Sequence, residues 1–115
     1  MRIVLVLATV LAAVPLYACG GEDEDLPDVD CSGTVPAFAD VAALQKCATC
    51  HNSKLSGAAR QAAPADINFD TEAAADKDPE KAAAEVNEGA MPPAGSGITL
   101  SAAEKEDFYK WALCR

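Results

Sequence analysis

Cys47-Ala48-Thr49-Cys50-His51 is the stretch on which the reading of this chain turns. Two thiols at i and i+3 lie near one another on a single helical turn. Both can therefore add to the two vinyl groups of one porphyrin, with the imidazole that follows set beneath the iron. This is the C-x-x-C-H pattern of covalent haem attachment. Bound through Nε2, His51 keeps its Nδ1–H for an acceptor that fixes tautomer and ring orientation. Two other uses of the pattern fit poorly. A thioredoxin-like C-x-x-C belongs in a βαβ frame, and no alternating strand of useful length is legible. A structural zinc site takes four ligands, whereas the chain has 1 His and no second cysteine pair at short spacing. The expected cofactor is one covalent haem c.

A sixth iron ligand follows by elimination. The only His is already used, and apart from Met1 the chain has one methionine, Met91. It stands in Glu88-Gly89-Ala90-Met91-Pro92-Pro93-Ala94-Gly95, a loop stiffened by prolines, so little entropy is lost in holding the sulfur on a metal. A thioether opposite His raises the reduction potential. The plainer alternative is Met91 as a core filler.

Around these residues the spacing predicts an all-α fold. One helix covers 36–48, opened by Thr34 and Pro36, with Phe38, Val41, Ala42, Leu44 and Ala48 on one broad face. A short piece covers 71–77. Another starts at Asp78-Pro79, as N-cap and first turn, and stops at Gly89. The last covers 101–113, where Ser101-x-x-Glu104 is a capping box and Phe108, Trp111 and Ala112 form the apolar stripe. Residues 52–70 and 90–100 read as irregular. Residues 31–115 thus make one small domain, with a core too thin unless something large and apolar fills it.

The N-terminal segment speaks of export. Residues 1–18 read as a bacterial signal, with Arg2 as the positive region and an apolar run from Ile3 to Val14. That run is too short to span a bilayer and is followed by acidic residues. Leu16, Ala18 and Cys19 resemble a lipobox, with Tyr17 bulkier than usual. The match implies acyl chains on Cys19 that anchor the chain to a membrane. Ordinary secretion, with Cys19 free, is the alternative. The expected location is the bacterial periplasm, with Gly20 after the lipidated Cys favouring the outer membrane. Residues 19–30 read as an acidic flexible tether, because Glu22, Asp23, Glu24, Asp25, Asp28 and Asp30 have no basic residue among them.

The whole chain holds 9 basic and 18 acidic residues. Without Arg2 and the six tether acids, residues 31–115 hold 8 and 12, only mildly acidic. Nothing there would neutralise phosphates, so a nucleic-acid partner is excluded.

Residues 31–115 resemble a class I c-type cytochrome in the helix running into C-x-x-C-H, the distal Met-Pro-Pro loop and the aromatic C-terminal helix. The resemblance implies a small helical domain around one haem, its first and last helices crossing through Phe38 and Val41 against Phe108 and Trp111. It implies an electron carrier rather than an enzyme, a monomer that meets a donor and an acceptor redox protein. It also implies a proline carbonyl as acceptor for the proximal Nδ1–H, and Pro64 matches best. Cys31 and Cys114 are left over once Cys19, Cys47 and Cys50 are assigned. If the terminal helices pack as the family's do, those two can form a disulfide, permitted outside the cytoplasm, with free thiols as the alternative. A haem-based ligand sensor, or a haem subunit of an oxidoreductase complex, is the second function. It needs an open iron, and no second His is present to assist peroxide chemistry. Trp111 is read as core, with a place near the haem as the alternative. Arg60 is read either as a propionate partner or as solvated surface, and Tyr109 has no assigned role.

Overall fold

The computed structural model describes residues 25–115. The export signal of residues 1–18, the lipidation site Cys19 and the first half of the tether lie outside the described residues. Among those described there are four α-helices, two 3₁₀ turns and no strand. The helices are α1 (Ala42–Cys47), α2 (Glu72–Ala75), α3 (Pro79–Asn87) and α4 (Ala102–Leu113). None of them is long and apolar enough to cross a membrane.

Three helix starts follow from their local chemistry. The Thr71 hydroxyl accepts from the Ala74 N–H, and the Asp78 carboxylate from the Lys81 N–H with Pro79 in the first turn. Ser101 and Glu104 close a reciprocal capping box, at 3.2 Å from the Glu104 N–H to Oγ and 2.8 Å from the Ser101 N–H to Oε2. Each such cap stabilises its helix by about 1 kcal/mol. Beyond α3, Gly89 takes φ +79°, a left-handed conformation that suits a residue with no Cβ.

The first predicted helix is not continuous. A 3₁₀ turn covers Phe38–Asp40, and Val41 stands in extended conformation, φ −84° and ψ 96°, before α1 begins. The break lets Val41, wholly buried, point into the core. That burial outweighs the helical bonds given up, since an enclosed valine gains about 1.5–3 kcal/mol.

The core gathers Val41, Ala43 and Leu44 against Val86 of α3 and Phe108, Trp111 and Ala112 of α4. Helix α4 packs on both α1 and α3. The Phe38 and Trp111 rings lie 6.1 Å apart, and those of Phe108 and Trp111 6.2 Å. Phe38 and Val41, which lie ahead of α1 and not on it, join Phe108 and Trp111 in the core, and Trp111 is core. Its Nε1–H has no acceptor among the described residues, while the Arg115 guanidinium lies over its ring at 4.1 Å.

Cys31 and Cys114 are joined by a disulfide, with Cα atoms 5.3 Å apart. Just ahead of it, residues 25–30 have no regular structure but do not stand clear of the domain. The Asn87 side chain donates to the Asp25 carbonyl at 2.8 Å. Asp28, Val29 and Asp30 line a groove of about 460 Å³ with Lys105 and Tyr109 of α4. The described end of the acidic segment is thus laid against the α3–α4 face.

Candidate functional site

Helix α1 ends at Cys47, and the chain keeps turning through the motif. The Ala48 N–H donates to Leu44 O, the Cys50 N–H to Cys47 O at 3.2 Å, and the His51 N–H to Cys47 O at 2.9 Å. One tightened turn therefore carries both thiols and the imidazole. Neither Cys47 nor Cys50 is in a disulfide, and both are half-buried. Burial pushes the Cys47 thiol up to about 11, with the Cys50 side chain adding to the rise.

The His51 ring is nearly enclosed, with 9% of its surface exposed. Its Nδ1 lies 3.1 Å from the Ile67 carbonyl oxygen. A carbonyl only accepts, so Nδ1 is the protonated nitrogen. In a neutral ring Nε2 then holds a bare lone pair, and no protein group among the described residues bonds to it. Phe69 meets the ring edge-on with centroids 5.5 Å apart, and its N–H donates to the His51 carbonyl at 2.8 Å.

The acceptor for Nδ1–H is therefore Ile67 and not Pro64. The Pro64 carbonyl is engaged elsewhere, accepting from the Arg60 guanidinium. Arg60 itself is not the solvated surface residue of one expectation. It is buried, neither solvated nor turned outward, and it organises the loop. Nε donates to Ala63 O at 3.1 Å, and Nη1 donates to Asn52 O at 2.6 Å and Asn68 Oδ1 at 3.0 Å. Nη2 donates to Pro64 O and, at 3.1 Å, to Ile67 O. Gln61 and Ala62, at φ +50° and +68°, make the left-handed bend that wraps the chain around this cation. Left-handed backbone costs each of them about 1–2 kcal/mol, which the charge-assisted bonds offset.

No family model, curated protein or solved structure matches this chain.

Two clamps frame the motif. Ser53 donates through Oγ at 2.6 Å and through N–H at 3.1 Å to Asp70, whose carboxyl these bonds hold below its ordinary value. On the other side, Lys46 Nζ donates to Thr99 O at 3.0 Å and pairs with Glu104 at 2.6 Å. The bond from Lys46 comes first among the interactions that lower the Glu104 carboxyl. The residue preceding Cys47 is thereby tied to the end of the 90–100 loop.

Met91 lies in that loop, partly buried against the core that Phe69 also packs on. Its N–H donates to Glu85 O at 3.0 Å, and its bond to Pro92 is cis. A groove of about 370 Å³ passes behind the motif, between Phe38, Leu44, Ala48, Asn52, Phe69 and Asp70.

Among the described residues no three His, Cys, Asp or Glu side chains converge as ligands for one ion. What the turn offers instead is two separate thiols and one nitrogen lone pair, with the tautomer set by a carbonyl behind the ring. That donor set would suit a haem held by two thioethers and one imidazole. Sequence reasoning missed Ile67 and the true role of Arg60. Every residue carries a carbonyl, so no local signal could have marked Ile67 as the acceptor.

Proposed function

We propose that this chain is an exported, lipid-anchored monohaem c-type cytochrome of class I, working as an electron carrier. The observation that carries the reading is the His51 ring, whose Nδ1–H is fixed on Ile67 O so that Nε2 is free, one residue after Cys50 on the thiol-bearing turn. The helical fold, with α4 packed on α1 just ahead of the motif, supports it. When bound, haem would supply a one-electron couple. The chain's own residues do the rest. Cys47 and Cys50 supply the two thioether sulfurs, and His51 supplies the proximal nitrogen. Phe69 and Ile67 O fix the plane of its ring. Met91 would supply a second, thioether ligand, its loop steadied by the Lys46–Thr99 bond and by two prolines. With His51 and Met91 both committed to the haem, the chain would leave no open position for a substrate and would exchange electrons with redox proteins. The anchor at Cys19 confines that exchange to a membrane surface of the periplasm.

The test is attachment. Expressed with a haem-ligation system, the exported protein should keep its haem through denaturation and acidic organic extraction. Cys47→Ala or Cys50→Ala should each lose one thioether, and His51→Ala the proximal bond. Haem that extracts freely from the wild type ends the proposal.

A further inference from the structure

Arg60 and His51 are the buried polar residues among those described, and they share an acceptor. The Ile67 carbonyl oxygen receives Nη2–H of Arg60 at 3.1 Å and faces His51 Nδ1 at 3.1 Å. All five acceptors of the guanidinium are neutral: four backbone carbonyls and one side-chain amide. No carboxylate pairs with it among the described residues, and arginine does not lose its proton in proteins. A full positive charge is therefore kept inside the loop that backs the proximal histidine. Burying an uncompensated charge is expensive, and a loop brace alone would not require it.

Two consequences point the same way. The cation draws electron density from Ile67 O, so the Nδ1–H bond to that oxygen is weaker and the imidazole is a poorer donor to iron. The same charge, in an interior of low dielectric, also favours whichever oxidation state carries less positive charge. Both effects favour the reduced form.

We infer that Arg60 is a positioning residue for His51 that raises the reduction potential of the centre through their shared acceptor, Ile67 O. The inference rests on the cytochrome reading given above. Redox titration of the holoprotein, wild type against Arg60→Gln and Arg60→Lys, tests it. Arg60→Gln, which removes the charge, should shift the reduction equilibrium at least tenfold toward the oxidised form. Tenfold is 59 mV for a one-electron couple. The far-red band of methionine sulfur on ferric iron should stay in place. Arg60→Lys, which keeps the charge but not the bond to Ile67 O, should shift the same way by less than Arg60→Gln. Equal shifts in both variants, no shift in Arg60→Gln, or a shift accompanied by loss of the far-red band would each overturn the inference. If Arg60→Gln does not fold, Arg60→Lys decides alone through NMR of the reduced protein. Its His51 Nδ1–H resonance should move downfield as the bond to Ile67 strengthens, and an unmoved resonance overturns the inference. Wild type without covalent haem would sink the cytochrome reading and this inference together. Wild type that holds haem while Arg60→Gln keeps its potential sinks this inference alone.

Discussion

Replacing Cys31 and Cys114 by serine cuts a link across 83 residues of sequence. The bond closes the head of the domain onto the end of α4, so its loop takes in nearly every element that packs. In the chain-entropy account, closing a loop of that length removes about 15 cal/mol/K from the unfolded chain, or about 4.6 kcal/mol at 25 °C. A domain this small holds only about 5–15 kcal/mol in total. The double variant should therefore melt about 20–35 °C lower than the wild type, at about 4–8 °C for each kcal/mol. The assay is circular-dichroism melting of both holoproteins, with the visible spectrum recorded alongside. That spectrum should hardly change below the melt, because the staple constrains chain ends and not the iron ligands. Thioethers resist thiol reductants, so dithiothreitol on the wild type should reproduce the same loss. A melting temperature within about 5 °C of the wild type would refute the reasoning. So would native wild-type protein in which both cysteines alkylate freely.

Met91→Ala should lower the potential by about 0.1 V or more, abolish the far-red band and admit CO. Rapid CO binding by the wild type, with no such band, would instead favour the ligand sensor. Cys19→Ser should move the protein from the membrane to the soluble periplasmic fraction with its haem spectrum unchanged, and equal solubility of the two forms returns Cys19 to ordinary secretion. Before haem is attached, the Cys47 thiol, raised by burial from 9.0 to about 11, stabilises the folded chain only while protonated. That contribution is whole below pH 9 and is lost as pH rises towards 11, at most about 2–3 kcal/mol at 1.36 kcal/mol per unit. Urea midpoints of the haem-free protein should accordingly fall more steeply over this range than those of haem-free Cys47→Ala, and parallel curves would refute it.

What could be read from sequence was what is decided within a few residues. The caps at Asp78 and Ser101, and the stop at Gly89, depend on a side chain reaching its own backbone or on a φ that only glycine takes readily. The grouping of Cys47, Cys50 and His51 on one turn needs only helical spacing. The pairing of Cys31 with Cys114 came from parity and an expected helix crossing, which the packing of α4 on α1 supplies. Other features depend on partners distant in sequence. Val41 leaves the helix because the core on α3 and α4 rewards its burial more than helical bonding does. Residues 25–30, legible only as an acidic run, lie where Asn87 and α4 receive them. The choice of Ile67 over Pro64 is likewise tertiary. It depends on Arg60 turning inward, occupying the proline's carbonyl and bending Gln61 and Ala62 around itself, and only the folded loop determines which of many equivalent carbonyl oxygens ends beside Nδ1.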